Sequence, residues 1–257
     1  MLIEKDLFGT VNKVENAIEI LQQFQPPEGY FLAFSGGKDS IVIKELCNMA
    51  GVKYHAEYSV TTIDPPELTK FIKIHHPDVK RKIPEKSFFE LLVKKGYPTR
   101  QFRWCCELLK ENAGNGRLVI TGVRKAESAR RSKRRMVEIC YRDTRKRYLH
   151  PILEWSDKDV WEFIRLRKLP YCSLYDEGWS RVGCLFCPMN TKRIEHLHKY
   201  PAVAAAVARA FNKRYKYCQE RNLTSAKRFK SGEEMFHHWI YERQKDEDSE
   251  MPLFLEA

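Results

Sequence analysis

The sequence predicts an α/β fold, a mostly parallel sheet flanked by helices, with a small helical extension towards the C-terminus. Three observations predict it. Short apolar runs alternate with segments of helical periodicity, a Ser-Gly-Gly-Lys-Asp-Ser turn joins the first such run to a helix, and the composition after Pro201 turns Ala-rich and basic. Residues 11–24 space their apolar side chains at three and four, which predicts an amphipathic helix, and the Pro26-Pro27-Glu28-Gly29 turn stops it. Residues 30–34 (YFLAF) suit a buried strand and 41–50 a helix. A strand over 54–60, a turn at Asp64-Pro65-Pro66, a helix over 67–75 and a strand over 118–121 follow. Residues 156–166 open with a Ser-x-x-Asp pattern that caps a helix.

Composition narrows the function. The 257 residues carry 46 Lys+Arg against 34 Asp+Glu, a formal charge of +12, with 43% hydrophobic and 12% aromatic residues. That supports an ordinary core and points to a polyanionic partner or substrate. No apolar run approaches the roughly 18–20 residues that span a bilayer. The acidic start MLIEKDLFGT does not read as a signal peptide. A cytoplasmic protein without membrane association is expected. Eight cysteines then imply ligands or catalysts rather than a disulfide framework.

In Ser35-Gly36-Gly37-Lys38-Asp39-Ser40 two glycines allow a sharp turn, and the helix that follows aims its positive end at the same place, which makes a phosphate site. Ser35 and Ser40 offer hydroxyls and Lys38 a point charge. Asp39 would repel a naked phosphate, so it either helps to hold Mg²⁺ or positions the loop. The hexapeptide resembles the PP-loop of ATP pyrophosphatases. That resemblance implies a Rossmann-like PP-loop fold that holds the β- and γ-phosphates of ATP while a substrate oxygen attacks the α-phosphate, with Lys38 and Asp39 as the catalytic pair.

Cys105-Cys106 and the Cys184-Leu185-Phe186-Cys187 turn, with Gly183 before it and Pro188 after, could supply four thiolates. Ligand type alone suits Zn²⁺ or a [4Fe–4S] cluster. RWCCELLK, TGVRKAESARR, HPILEWSDKDVWEFI, LPYCSLYDEGWSRVGC and CLFC, in this order over roughly residues 30–190, resemble the phosphoadenosine phosphosulfate (PAPS) reductase family. In its iron–sulfur branch such a set binds one [4Fe–4S] cluster, so the resemblance implies Cys105, Cys106, Cys184 and Cys187 as ligands. It also implies Thr121, Gly122 and Arg124 as a second nucleotide motif, with Arg124 bracing phosphates. Cys47, Cys140, Cys172 and Cys218 read as buried structural thiols.

The reductases attack sulfur with a cysteine in a Glu-Cys-Gly-(Ile/Leu)-His setting near the C-terminus, and no cysteine follows Cys218 here, which lies in KYCQER. The phosphate loop, commonly degraded in reductases, is intact. This combination is similar to the ATP-pyrophosphatase component of DNA phosphorothioation systems, and residues 61–68 (TTIDPPEL) look like that branch. The resemblance implies Asp64 near the nucleotide, adenylation coupled to sulfur insertion into nucleic acid, DNA foremost, and an outside sulfur donor such as a cysteine desulfurase. Two other readings stay open: a sulfonucleotide (APS or PAPS) reductase using an external thiol, and an accessory protein that binds ATP and nucleic acid without turnover.

Between Arg124 and Arg147, eleven Lys/Arg face three acids, a net of +8. Arg130, Arg131, Lys133, Arg134 and Arg135 exceed what one nucleotide needs and read as a track for a nucleic-acid backbone, against a solvated charge run in a mobile loop. His75-His76 and His237-His238 lack partners at metal-site spacing. The expected organisation is a PP-loop domain over 1–190 that includes the cluster cysteines, a helical extension over 191–257, and a surface compatible with a homodimer.

Overall fold

The computed structural model describes residues 1–6, 9–140, 143–190 and 192–241. They group into two compact units. The first joins residues 1–59, 66–82 and 112–183, and the second joins 60–65, 83–111 and the chain from Cys184 onward. Both units are discontinuous in sequence. The four candidate cysteines therefore belong with the C-terminal helices, a division that differs from a boundary at residue 190. No helix of the described residues is long and apolar enough to cross a membrane.

The first unit begins with an antiparallel hairpin, β1 (Ile3–Asp6) and β2 (Gly9–Asn12), which the sequence reading did not include. Asn12 ends β2 and caps the helix Lys13–Gln23, its Oδ1 accepting from Val14 N at 3.1 Å. The sheet then adds β3 (Tyr30–Ala33), β4 (Tyr54–Ser59), β5 (Lys80–Lys82), β6 (Leu118–Ile120), β7 (Val137–Ile139) and β8 (Arg147–Leu149). Their order is β5-β4-β3-β6-β8-β7, parallel throughout except for the edge pair β7–β8. Every residue of β6, and Tyr30, Phe31 and Leu32 of β3, are buried, as expected for strands covered on both faces. The chain runs from β3 outward to β5 and returns to add β6 on the other side of β3. That reversal places the loops after β3 and β6 together at the carboxyl edge of the sheet, where open α/β sheets bind ligands.

The last helix of this unit, Asp157–Leu166, is held by a buried carboxylate. Asp159 Oδ2 accepts from Ser156 N, Ser156 Oγ and Lys13 Nζ, each at 2.8 Å, tying the capping box to the start of the helix Lys13–Gln23.

The second unit is helical. Ser87 and Glu90 form a reciprocal capping box on the helix Phe88–Lys95, and Thr62 Oγ1 accepts from Phe88 N at 2.8 Å. A short turn at Trp104–Cys106 passes into a π-helical turn over Glu107–Glu111. The helix Pro201–Glu220 packs on Phe88–Lys95 and on Gly232–Ile240, around Tyr97, Phe211 and Trp239. Two polar side chains in this apolar setting donate to backbone carbonyls. Trp239 Nε1 donates to Pro98 O at 2.9 Å, and Arg214 donates to Val93 O at 3.1 Å and Lys94 O at 2.9 Å.

Burial alone would raise the Asp159 pKa, but the hydrogen bonds from Lys13 and Ser156 outweigh it and hold the carboxyl well below the usual range. A depressed folded-state pKa stabilises the fold above the unfolded value of about 3.9, and this contribution drains away as pH falls below about 4. Asp159→Ala should cost about 3 kcal/mol in urea unfolding at pH 7, because it removes the buried acceptor shared by Lys13 and the helix start and leaves Lys13 only the exposed Glu4. It should also flatten the acid limb of the stability–pH curve.

Candidate active site and cysteine centre

The phosphate loop leaves β3 and enters the helix Lys38–Ala50, whose N-cap, Gly37, has extended backbone and no side-chain cap. The first amides of that helix have no intrahelical acceptors and face the loop. Gly36 is required by both conformation and space. Its φ is +71°, and a Cβ there would lie 2.7 Å from Leu68 Cδ1 and Ile72 Cδ1. The two serines brace the turn. Ser40 Oγ donates to Gly37 O at 2.8 Å and accepts from Ser35 N at 3.3 Å, while Ser35 Oγ accepts from Gly37 N at 3.3 Å.

The loop after β6 approaches this helix closely. A Cβ on Gly122 would fall 2.7 Å from Asp39 Cβ, so no larger residue fits without displacing Asp39. The approach brings in Arg124, which is buried. Its Nε donates to Asp39 Oδ1 at 2.7 Å, Nη2 to Asp157 Oδ1 at 3.1 Å and Nη1 to Trp155 O at 3.4 Å. Lys38, also buried, has Nζ 3.2 Å from Asp157 Oδ1 and 3.8 Å from Asp39 Oδ2, and donates to Ser180 O at 3.2 Å. Two cations and two carboxylates thus alternate at the loop. Arg124 lies at the carboxyl edge of the sheet, and its guanidinium is directed at carboxylates. Thr121 is at the same edge, with Oγ1 2.7 Å from Nδ1 of the buried His150.

Two residues of this site were missed by sequence reasoning. Asp157 was taken only as part of a helix opening. Tyr175 lies in LPYCSLYDEGWS, and its Oη accepts from Lys38 N at 2.9 Å while its ring faces Lys38 Nζ at 5.6 Å. Burial pushes the phenol above its ordinary pKa, so it stays protonated and remains a donor.

In the second unit the segment after β4 supports the cysteines. Leu185 N donates to Ile63 O at 2.9 Å, Cys184 Sγ donates to Thr61 Oγ1 at 3.5 Å, and Thr61 N donates to Asp64 Oδ2 at 2.9 Å. Asp64 is therefore grouped with Cys184. The Cys184–Cys187 turn is completed by Phe186 at φ +54°, and Thr62 also lies in the left-handed region at +63°. Cys105 is hydrogen-bonded to Cys106 and, after burial, feels Cys106, Cys184 and Cys187, all of which raise its pKa. The hydrogen bond from Cys105 holds Cys106 below the ordinary thiol value. Desolvation opposes the charge on Lys110, but Cys184 and Asp64 outweigh it and hold the ammonium above its ordinary value.

Among the described residues, no group of three or more His, Cys, Asp or Glu side chains is gathered as ligands of a single metal ion. The donor chemistry, four cysteines in one unit with Lys110 beside Cys184, suits an iron–sulfur cube, whose corners space its ligands more widely than one ion does. One member of each histidine pair is buried. His76 is buried with its pKa pulled to about 4 by desolvation, and His238 is buried with Nε2 3.3 Å from Arg228.

The basic segment forms a 3₁₀ turn at Lys125–Glu127, a short helix at Ala129–Ser132 and then β7, with residues 141 and 142 outside the described set. Arg131 pairs with Glu127 and Arg134 with Glu138. Arg130, Lys133 and Arg135 are exposed, and their side chains form no ion pair among the described residues.

Tyr175→Phe removes the acceptor of the Lys38 amide without changing the ring. It should destabilise the protein by about 1 kcal/mol in urea unfolding, as expected for one backbone donor left unsatisfied.

A sequence profile of the phosphoadenosine phosphosulfate reductase domain matches residues 29–190. Two uncharacterized proteins of Methanocaldococcus jannaschii are similar. One is 33% identical over 181 residues, 66% of this chain and 44% of that protein, and the other 32% over 177 residues, 61% and 35%. The chain thus spans less than half the length of either. The adenosine 5'-phosphosulfate reductase of Geobacillus kaustophilus is 28% identical over 200 residues, 72% of this chain and 84% of that enzyme. Among solved structures, the PAPS reductase of Candida auris in its phosphate complex shares the fold, with a TM-score of 0.51 at 19% identity over 66% of this chain and 88% of the other.

Proposed function

Because the chain belongs to the phosphoadenosine phosphosulfate reductase domain family, we propose that it is the ATP-using kind of that fold: it binds ATP at Ser35–Ser40 and transfers adenylate to a substrate oxygen, which sulfur then replaces. The observation that carries this reading is the alternation of Lys38, Asp39, Arg124 and Asp157 around the N-terminus of the helix Lys38–Ala50. A site for a bare phosphate has no use for two carboxylates. A site for a triphosphate with Mg²⁺ does, since Mg²⁺ takes carboxylate oxygens together with phosphate oxygens and neutralises the phosphates.

The reaction forms a bond from the acceptor oxygen to the α-phosphorus and breaks the α-phosphorus–oxygen bond to pyrophosphate. The loop amides and Lys38 hold the leaving pyrophosphate, Arg124 keeps Asp39 and Asp157 in place, and Thr121 and Gly122 line the approach. A sulfur donor, such as a cysteine desulfurase, then displaces AMP. The acceptor in this reading is nucleic acid, DNA by resemblance, met by Arg130, Lys133 and Arg135 with Arg131 and Arg134 bracing their loop. Cys105, Cys106, Cys184 and Cys187 would hold a [4Fe–4S] cluster, which supplies redox or sulfur-binding iron when present.

A second reading, reduction of a sulfonucleotide with an external thiol, is favoured by the similarity that spans most of the Geobacillus enzyme. Anaerobic assays separate the two. The proposal expects AMP and pyrophosphate from ATP and Mg²⁺ in the presence of nucleic acid, falling at least 100-fold in Asp39→Asn with thermal stability retained. Sulfite release from adenosine 5'-phosphosulfate with thioredoxin, and no pyrophosphate from ATP, would replace it with the second reading. Cys184→Ser should lose the iron and sulfide retained after anaerobic reconstitution, read by iron and sulfide analysis; full retention would remove Cys184 from the ligand set.

A further inference from the structure

The helical unit carries a charged surface that the proposed reaction does not use. From Arg209 to Lys230 there are eight lysines and arginines against one acid, Glu220, a net of +7 in 22 residues. Arg214 is buried and bonded to backbone, but Arg209, Lys213, Lys216, Arg221, Lys227 and Lys230 are exposed, and none forms an ion pair among the described residues. On the helix Pro201–Glu220, Arg209, Lys213 and Lys216 stand at i, i+4 and i+7. They form one stripe, opposite the face that buries Val207, Phe211 and Cys218.

Beside the stripe lies a concavity of about 180 Å³ between this helix and Phe88–Lys95. Phe89, Val93, Ala206 and Ala210 line it, with Arg209 and Lys213 on its rim. Glu90, also in its lining, has Oε2 bonded to Ser87 N and Oγ at 2.8 and 2.7 Å. Phe89 is half-buried, so one aromatic ring faces the space.

We propose that this groove binds single-stranded nucleic acid, with the backbone along Arg209, Lys213 and Lys216 and one base seated against Phe89. An unpaired row of cations beside an aromatic floor is the arrangement that holds a strand with its bases unstacked. The stripe is interrupted by Ala202, Ala205 and Asn212, not by the large apolar residues a membrane surface needs. The concavity takes one planar ring, whereas an acidic helix laid in a groove needs a row of anchors. The proposal extends the nucleic-acid side of the proposed function to a second surface, but it does not require turnover.

The test is fluorescence anisotropy of a labelled short oligouridylate and oligothymidylate with the full chain, without ATP, over a salt series. The combined variant Arg209→Gln, Lys213→Gln, Lys216→Gln should bind about tenfold or more weakly and flatten the log–log salt slope by about 2, as expected for three lost single-strand phosphate contacts. Phe89→Ala should weaken binding about fivefold or more and erase the preference for the oligonucleotide over its abasic counterpart. Unchanged affinity in the triple variant, or a loss of duplex, polyglutamate or anionic-vesicle binding in that variant as large as its loss of single-strand binding, would overturn the proposal. Since ATP is omitted, absence of pyrophosphate release in the separate assay leaves this result readable.

Discussion

The arrangement at the phosphate loop depends on one buried guanidinium. Arg124 reaches Asp39 at the start of the helix Lys38–Ala50, Asp157 at the start of the helix Asp157–Leu166, and Trp155 O between. Three elements that leave the carboxyl edge of the sheet at different points in the sequence are thereby held at one place. A lysine could not do this, because it lacks the planar fork that contacts two carboxylates and a carbonyl together. Gly122 is the steric condition for the same clamp, since the chain carrying Arg124 passes against Asp39 with no room for a Cβ.

The clamp also explains how Lys38 can be buried. A buried ammonium is costly unless paired, and here two carboxylates, one carbonyl and an aromatic face surround it. Charge at the loop is thus balanced internally. A triphosphate bringing its own cation can enter such a site without leaving either carboxylate unpaired, which is why the balance favours ATP over a lone phosphate group.

Much of this was legible in the sequence, and the limits have physical causes. The buried strands at 30–33 and 118–120 are short apolar runs, the strand at 54–59 buries only alternate residues, Ala56 and Tyr58, and the helices over 13–23, 66–75 and 157–166 show their period plainly. The loop glycines and the cysteine spacing are local patterns, so they could be read without a structure. Asp157 and Tyr175 could not, because each serves the loop from more than 110 residues away and looks locally like a cap or a turn residue. β7 and β8 were hidden for a different reason: Val-Glu-Ile at the sheet edge and Arg-Tyr-Leu beside it are three residues each, too short to show an alternation. The grouping of Asp64 with Cys184 likewise follows from a fold that assembles its second unit from three separated stretches.

The net charge of +12 is the least informative form of the electrostatic information, because what decides a cation's role is whether it is already paired. Arg131 and Arg134 stand in the densest basic run, yet both are bound to glutamates on their own segment, where they order the loop more than they attract a ligand. Arg209, Lys213 and Lys216 are separated by three and four residues and inconspicuous in the sequence, but helical geometry aligns them and no carboxylate answers them among the described residues. A run of like charges in sequence invites compensation by neighbouring acids, since the fold must tolerate their repulsion. Charges spread one per turn repel one another less and can stay uncompensated at small cost. Unpaired cations at helical spacing are therefore the better marker of an anion-binding surface than the local charge density by which such surfaces are usually sought.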